Sequence, residues 1–443
     1  DRGLEVIQDD AYNVVIKKAG SRGAEDHAPV MLQGHMDMVC EKRAGVEHDF
    51  EKDGLDLIIR DGRLTANGTT LGGDNGVAVA LMLMVLDDDE IEHPPVECVF
   101  TTEEEVGLNG AKALDKSVLK ARTMINMDSE DEGVATVSCA GGLRVQFTKE
   151  IKRTTVQGSL LTLKVEGLLG GHSGQDIDKE RQNADLLMAR MIQRLLKETK
   201  GQLVSFNGGT KDNAIPRECE ASLIYESDEE AAKAEELACE LAETYAEELT
   251  PAEPDFSCEI SCETNRTAEA IPQDAAKEFI CAMRLAPNGI QKRNIKMDGF
   301  VVVSLNLGVV RTEEDRIVMI FSPRSSVASL QEDTKERLNT LAETFGFTVS
   351  HSSEYPGWSF KEDSPVREIC KESYKELFGE DLKIEAIHAG LECGLFSDAI
   401  KGLDAIAIGP TIANCHTPDE YLTLDSFERF YEFLKDILSR LAK

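Results

Sequence analysis

The chain has 443 residues, with 48 Lys plus Arg against 82 Asp plus Glu, a formal net charge of -34. That length allows two or three domains with proper cores, and that charge repels phosphate backbones and anionic lipid, so nucleic-acid and membrane-surface roles are excluded first. A hydrophobic fraction of 41% argues for a folded chain.

The first residues lack the basic start and apolar run of a secretory signal, and a cytoplasmic protein is expected. The chain begins almost inside a strand, with no covering helix before it. Val14 to Ile16, Pro29 to Leu32, Val96 to Phe100 and Met124 to Asn126 are predicted strands, and Val77 to Leu86 is a predicted helix that stops at an acidic run. That helix is about half of what a bilayer requires. The rhythm is that of an α/β layer with a mixed, partly parallel sheet. Eleven cysteines are scattered without a Cys-x-x-Cys pair, which favours buried free thiols over disulfides or thiolate metal sites.

From about residue 142 the strands lengthen and alternate, at Leu143 to Phe147 and Leu160 to Val165, before a helix from Gln182 to Leu196. A helix over 229–249 carries its acidic residues outside and Ala231, Ala234, Leu237, Ala238, Leu241 and Tyr245 on one side. Strands at 301–307 and 317–321 and a helix at 330–345 follow. After Tyr355-Pro356-Gly357-Trp358 the α/β rhythm resumes, with a helix over 366–378, strands at 383–387 and 405–408, and a closing helix over 424–442. The expectation is an α/β catalytic domain of residues 1–141 and 353–443, interrupted by an α+β lid of residues 142–352, with hinges at the junctions.

Only eight histidines occur. In an extended Gly34-His35-Met36-Asp37, residues i and i+2 face one side, so Asp37 can hold the His35 imidazole while its other nitrogen faces a metal. A lone His-x-Asp is weak, and Asp74 or Asn75 in Gly72-Gly73-Asp74-Asn75-Gly76 reads equally as a helix cap. The alternative has Asp74 bridging two cations. Glu103-Glu104-Glu105 at a strand end repel one another unless a cation or proton intervenes, which suggests a metal ligand beside a base. Asp128 ends another strand, and His416 lies in Asn414-Cys415-His416-Thr417-Pro418-Asp419. His35, Asp74, a Glu of the triplet, Asp128 and His416 thus gather at the ends of α/β elements, where ligands of such sheets bind. Three carboxylates against two divalent cations leave one positive charge for a hydroxide, a balance that suits a two-metal hydrolase.

These segments, with Gly171-His172-Ser173-Gly174, Asn213 to Arg217, Pro323 to Ser326, His388 to Gly394 and Gly409 to His416, resemble the zinc aminoacylase, carboxypeptidase and dipeptidase family, and among its branches the aminoacyl-histidine dipeptidases. Members usually carry a further N-terminal stretch, and this chain begins after it. The resemblance implies that His35, Asp74 and Asp128 hold one metal and Asp74, Glu105 and His416 the other, with zinc the expected metal and cobalt or manganese the alternatives. It implies that Asp37 orients His35 and that Glu104 is the general base, since the family spacing before Gly107 selects Glu104 and Glu105 from the triplet. It makes His172 an oxyanion stabiliser, and Asn213 and Arg324 substrate-gripping residues. Glu392 is expected to bind a free α-amino group and so favour dipeptides over acylated amino acids. The implied activity is hydrolysis of dipeptides of Xaa-His type or of broad specificity, in a possible homodimer. The rivals are an acylase or tripeptidase of the same family and a non-catalytic binding protein.

Overall fold

The computed structural model describes residues 2–295 and 299–443. It divides into two compact units, one running to Cys139 and resuming over Pro356–Lys443, the other spanning Ala140–Tyr355.

The first unit is built on an eight-stranded mixed sheet. In hydrogen-bonded order its strands are Glu5–Gln8, Val14–Lys18, Val96–Thr101, Val30–His35, Thr123–Asn126, Asp404–Ala407, Val134–Cys139 and Lys383–Ile387. The central pairs are parallel, with Gly34 opposite Phe100, His35 opposite Thr101 and Gln33 opposite Asn126. Every residue of Val30–His35 and Val96–Thr101 is buried, which is why these strands read as continuous apolar runs instead of alternating ones. Helix Gly73–Asp87 crosses the sheet at Gly34, where an added Cβ would come within 2.3 Å of the Ala78 Cβ. The glycine is what permits that approach. Helices Pro365–Phe378 and Leu424–Leu441 pack through Tyr374, Phe378, Phe430 and Phe433, whose rings meet edge on.

The second unit is a nine-stranded antiparallel sheet with helices Ala184–Glu198, Asp228–Leu249, Gln273–Leu285 and Ala328–Thr344. Its core holds Phe147 against Phe321, with centroids 4.8 Å apart, and Phe206 against Phe279 at 5.5 Å. Asn183 caps the first of these helices by accepting from the backbone N–H groups of Asp185 and Leu186. The acidic helix Asp228–Leu249 is capped by Ser227 and buries Ala231, Ala234, Ala238 and Tyr245. Its three acidic first-turn residues lie where the helix dipole favours them. The fold is therefore a mixed-sheet α/β domain with a large inserted α+β domain.

All cysteines are free thiols, and Cys98, Cys139, Cys219, Cys370 and Cys393 are buried. Among the described residues no helix is long and apolar enough to cross a membrane.

Candidate metal centre

Parallel strands all present their C-terminal ends to one edge, and there the first unit collects its charges. His35 is the last residue of its strand, Asp128 lies two residues past Thr123–Asn126, and Glu104 and Glu105 follow Val96–Thr101. Asp74 sits in the turn before its helix with non-helical backbone, while Asn75 Oδ1 accepts from the Ala78 N–H. The capping contact and the ligand candidate thus fall on adjacent residues of this turn.

Asp74 faces two imidazoles. Its Oδ1 lies 3.0 Å from His35 Nε2 and its Oδ2 lies 3.1 Å from His416 Nε2. His35 Nε2 is 3.6 Å from Asp128 Oδ1, and His416 Nε2 is 3.1 Å from Glu105 Oε1. The donor atoms of His35, Asp74 and Asp128 form one group that could hold a cation, and those of Asp74, Glu105 and His416 form another.

Two smaller contacts set these groups. His35 Nδ1 donates to the Asp37 carbonyl oxygen at 3.0 Å, which leaves Nε2 facing the cluster. The Asp37 carboxylate is 3.5 Å from that nitrogen and instead accepts from the backbone N–H groups of Glu104 and Glu105, each at 3.1 Å. Asp37 therefore fixes both His35 and the turn that follows the neighbouring strand. Within the triplet Glu103 is exposed, with φ of 52°, whereas Glu104 and Glu105 turn inward.

The electrostatics call for positive charge. Burial alone would lower the pKa of His35, but the carboxylates of Asp128, Asp37 and Asp74 outweigh it and push it far up. Asp74 and Glu105 raise His416 to about 10. Burial, with Asp128 next, pushes Glu104 up to about 8. Clustered carboxylates that draw protons onto two imidazoles suit divalent cations, and the nitrogen and oxygen donors fit zinc. A further group, Asp74, Glu130 and Cys415, shares the central carboxylate.

Glu392, expected to bind a substrate ammonium group, is enclosed. It is 0% exposed at the start of helix Glu392–Ala399, and its Oε2 accepts from Gln33 Nε2 at 2.5 Å and Thr101 Oγ1 at 2.7 Å. Asn126 Nδ2 donates to Gln33 Oε1 at 2.6 Å, so a buried polar ladder ties together the strands that carry His35, Asp128 and the Glu pair. Glu392 Oε1 is buried and has no hydrogen-bond partner among the described residues. Burial raises its pKa to about 7.

In the second unit, His172 Nδ1 accepts from the N–H groups of Gly174 and Gln175, which places the ring proton on Nε2 as a donor. Burial and then the Arg324 charge lower its pKa, keeping the ring neutral. Residues Gly171 and His172 pair with Ile215 and Ala214, and Ser173 donates its N–H to the Asn213 carbonyl. The buried Arg324 reaches Tyr355 Oη at 3.0 Å and Ser173 Oγ at 3.4 Å. His172, Asn213 and Arg324 therefore belong to one neighbourhood of that unit.

The residues missed from sequence are Gln33, Thr101, Asn126 and Glu420. None has a local pattern, since each acts through partners tens to hundreds of positions away.

Residues 31–440 match the profile of peptidase family M20/M25/M40. The chain is 35% identical over 447 residues to the cytosol non-specific dipeptidase of Escherichia coli (strain K12), covering 100% of this chain and 91% of that protein. The aminoacylhistidine dipeptidase from Vibrio alginolyticus superposes with a TM-score of 0.93 at 36% identity, covering 99% of this chain and 90% of that one. The aminopeptidase PepT from Bacillus cereus ATCC 10987, at 16% identity and TM-score 0.55, covers 100% of this chain and 90% of that one and shares the fold.

Proposed function

The chain belongs to peptidase family M20/M25/M40, and on that premise we propose that it is a cytoplasmic two-metal dipeptidase, hydrolysing Xaa-His or a broader range of dipeptides. The observation that carries this reading is Asp74, with one carboxylate oxygen toward His35 and the other toward His416. His35, Asp74 and Asp128 would hold one ion, and Asp74, Glu105 and His416 the other. When bound, the ions supply Lewis acidity that polarises a carbonyl and makes water more acidic. Asp37 holds the Glu104–Glu105 turn in place through its two backbone contacts. Glu104 removes the proton of the attacking water and returns it to the leaving amine. His172 donates from Nε2 to oxygen that gains charge during attack, and Arg324 receives the terminal carboxylate, with Asn213 beside them. The names of the two relatives near 35% identity support the substrate class.

The test is a panel of dipeptides, with an Xaa-His member, an N-acetylated control and a matching tripeptide, assayed on zinc-loaded protein. Unblocked dipeptides should be cleaved with kcat/KM at least about 10²-fold above the other two if Glu392 or its loop holds the free ammonium group and Arg324 the terminal carboxylate, because a buried charged group without a partner costs several kcal/mol. Equal efficiency on the N-acetyl compound would assign the chain to acylase chemistry.

A further inference from the structure

Glu420 binds the backbone of the turn that carries Asp74, and no motif pointed to it. It is 2% exposed. Its Oε2 accepts from the backbone N–H groups of Leu71 at 2.8 Å and Gly72 at 3.0 Å, and its Oε1 from those of Gly73 at 2.8 Å and Asp74 at 3.2 Å. Four consecutive amides thus close around one carboxylate.

The backbone is shaped for this. Gly72 has φ of 67°, a conformation that favours glycine. A Cβ on Gly73 would stand 3.2 Å from Glu420 Oε1. Hydrogen bonds to a carboxylate are the stronger kind, and the four amides are the orphan donors that precede a helix.

The placement matters because of what each loop carries. The amides end at Asp74, and Glu420 follows His416 by four residues, in a turn closed by its own N–H donating to the Thr417 carbonyl. The loops meet again where His416 Nε2 lies 3.1 Å from Asp74 Oδ2. Segments more than 300 positions apart in sequence are therefore joined twice, once through candidate ligands and once through a group that is not one. Asp74 and His416 would otherwise have to be ordered by the cation itself.

We propose that Glu420 is a positioning residue that presets the separation of Asp74 and His416, so that the ion held by Asp74, Glu105 and His416 enters a site already formed. This rests on the two-metal reading above and touches neither substrate nor cation.

The experiment is a zinc titration of metal-free protein by calorimetry, comparing wild type, Glu420→Gln and Glu420→Asp. Gln keeps the shape but loses the charge, and Asp is too short to reach both pairs of amides. Wild type should take up two ions. Both variants should bind one of them about 10–100-fold more weakly, the range for groups that orient metal ligands. Saturating zinc should restore kcat to the variants, since the chemistry itself is intact. Amide hydrogen exchange on metal-free wild type supplies a measurement that does not depend on variants folding: Leu71, Gly72, Gly73 and Asp74 should already be protected. Wild-type zinc affinity in both variants, a loss of kcat that zinc does not restore, or fast exchange at these four amides would each overturn the proposal. Wild type that binds fewer than two ions would instead overturn the two-metal reading.

Discussion

The two units bury polar groups in opposite ways. In the first, Asp37, Asp74, Glu104, Glu105 and Asp128 converge on two imidazoles at the ends of parallel strands. Around them Glu103, Leu108, Asn414 and His416 all adopt positive φ, each of which costs about 1–3 kcal/mol in a non-glycine residue. In the second, the sheet rests on an apolar core of Phe147, Phe206, Phe279 and Phe321 that needs no ion. The difference teaches where stability comes from. One unit gathers charge that a cation would offset, and the other's sheet rests on apolar packing.

The largest expected effect separates chemistry from stability in the first unit. Glu104→Gln keeps side-chain shape and should retain zinc, yet kcat should fall by about 10²-fold or more, the low end for acid–base catalysis. Asp74→Ala should lose both activity and ions, because one carboxylate serves both groups. Assay and elemental analysis of the two variants together decide the matter. If Glu104→Gln turns over normally while Glu103→Gln does not, the base is the neighbouring glutamate.

The mirror-image experiment falls on the second unit. Phe147 is fully buried between Phe321 and Phe347, so Phe147→Ala should destabilise by about 3–5 kcal/mol. Denaturant unfolding measures this, and a loss below about 1 kcal/mol would mean that the core is not close-packed there. Zinc stoichiometry of the folded variant should stay unchanged.

Metal removal sharpens the contrast at a smaller scale. An ion present at a hundred times its dissociation constant stabilises the folded state by about 2.7 kcal/mol. Chelation should therefore lower hydrogen-exchange protection around Glu105 and His416 while leaving Phe206 and Phe279 protected. An equal loss in both units would erase the distinction.

The sequence made one of these units easier to read than the other. Parallel strands buried on both faces, such as Val96–Thr101, stand out as apolar runs, and their ends carry the charges that mark the site. The amphipathic helix Ala184–Glu198 is legible through Leu187, Met191 and Leu195, all in the core. By contrast, the strand Ser257–Ala270 lies at the sheet edge, mostly exposed, and its polar Glu263 to Thr267 gives little alternation to see beyond the Cys258–Cys262 segment. Helix Gln273–Leu285 went unread although its burial of Phe279, Ile280 and Met283 follows helical spacing. The ligand candidates were legible because they sit in short motifs. The burial of Glu392 was not legible because its motif gives residue type without depth, and Glu420 was missed because amides 346 to 349 positions away leave no trace in local pattern.

The last test falls on a buried carboxylate of the second unit. Asp185 is fully buried in the first turn of helix Ala184–Glu198, against Gly208, and belongs to none of the groups that could hold a metal ion among the described residues. Burial raises its pKa to about 8, which the Cys219 thiol and the Arg311 charge only partly oppose. The unfolded chain would release this proton near 3.8, the ordinary value, whereas the folded chain keeps it to about 8. Between those limits the folded state binds more protons than the unfolded one, so this group's contribution is greatest below the lower limit and is lost as pH rises toward the upper. The slope is at most about 1.4 kcal/mol per pH unit. Asp185→Asn removes the titration, so thermal unfolding between pH 5 and 8 should decline less with rising pH in the variant than in wild type, whatever the offset between them. Parallel profiles would mean that the carboxylate is ionised in the folded state and that burial does not hold its proton.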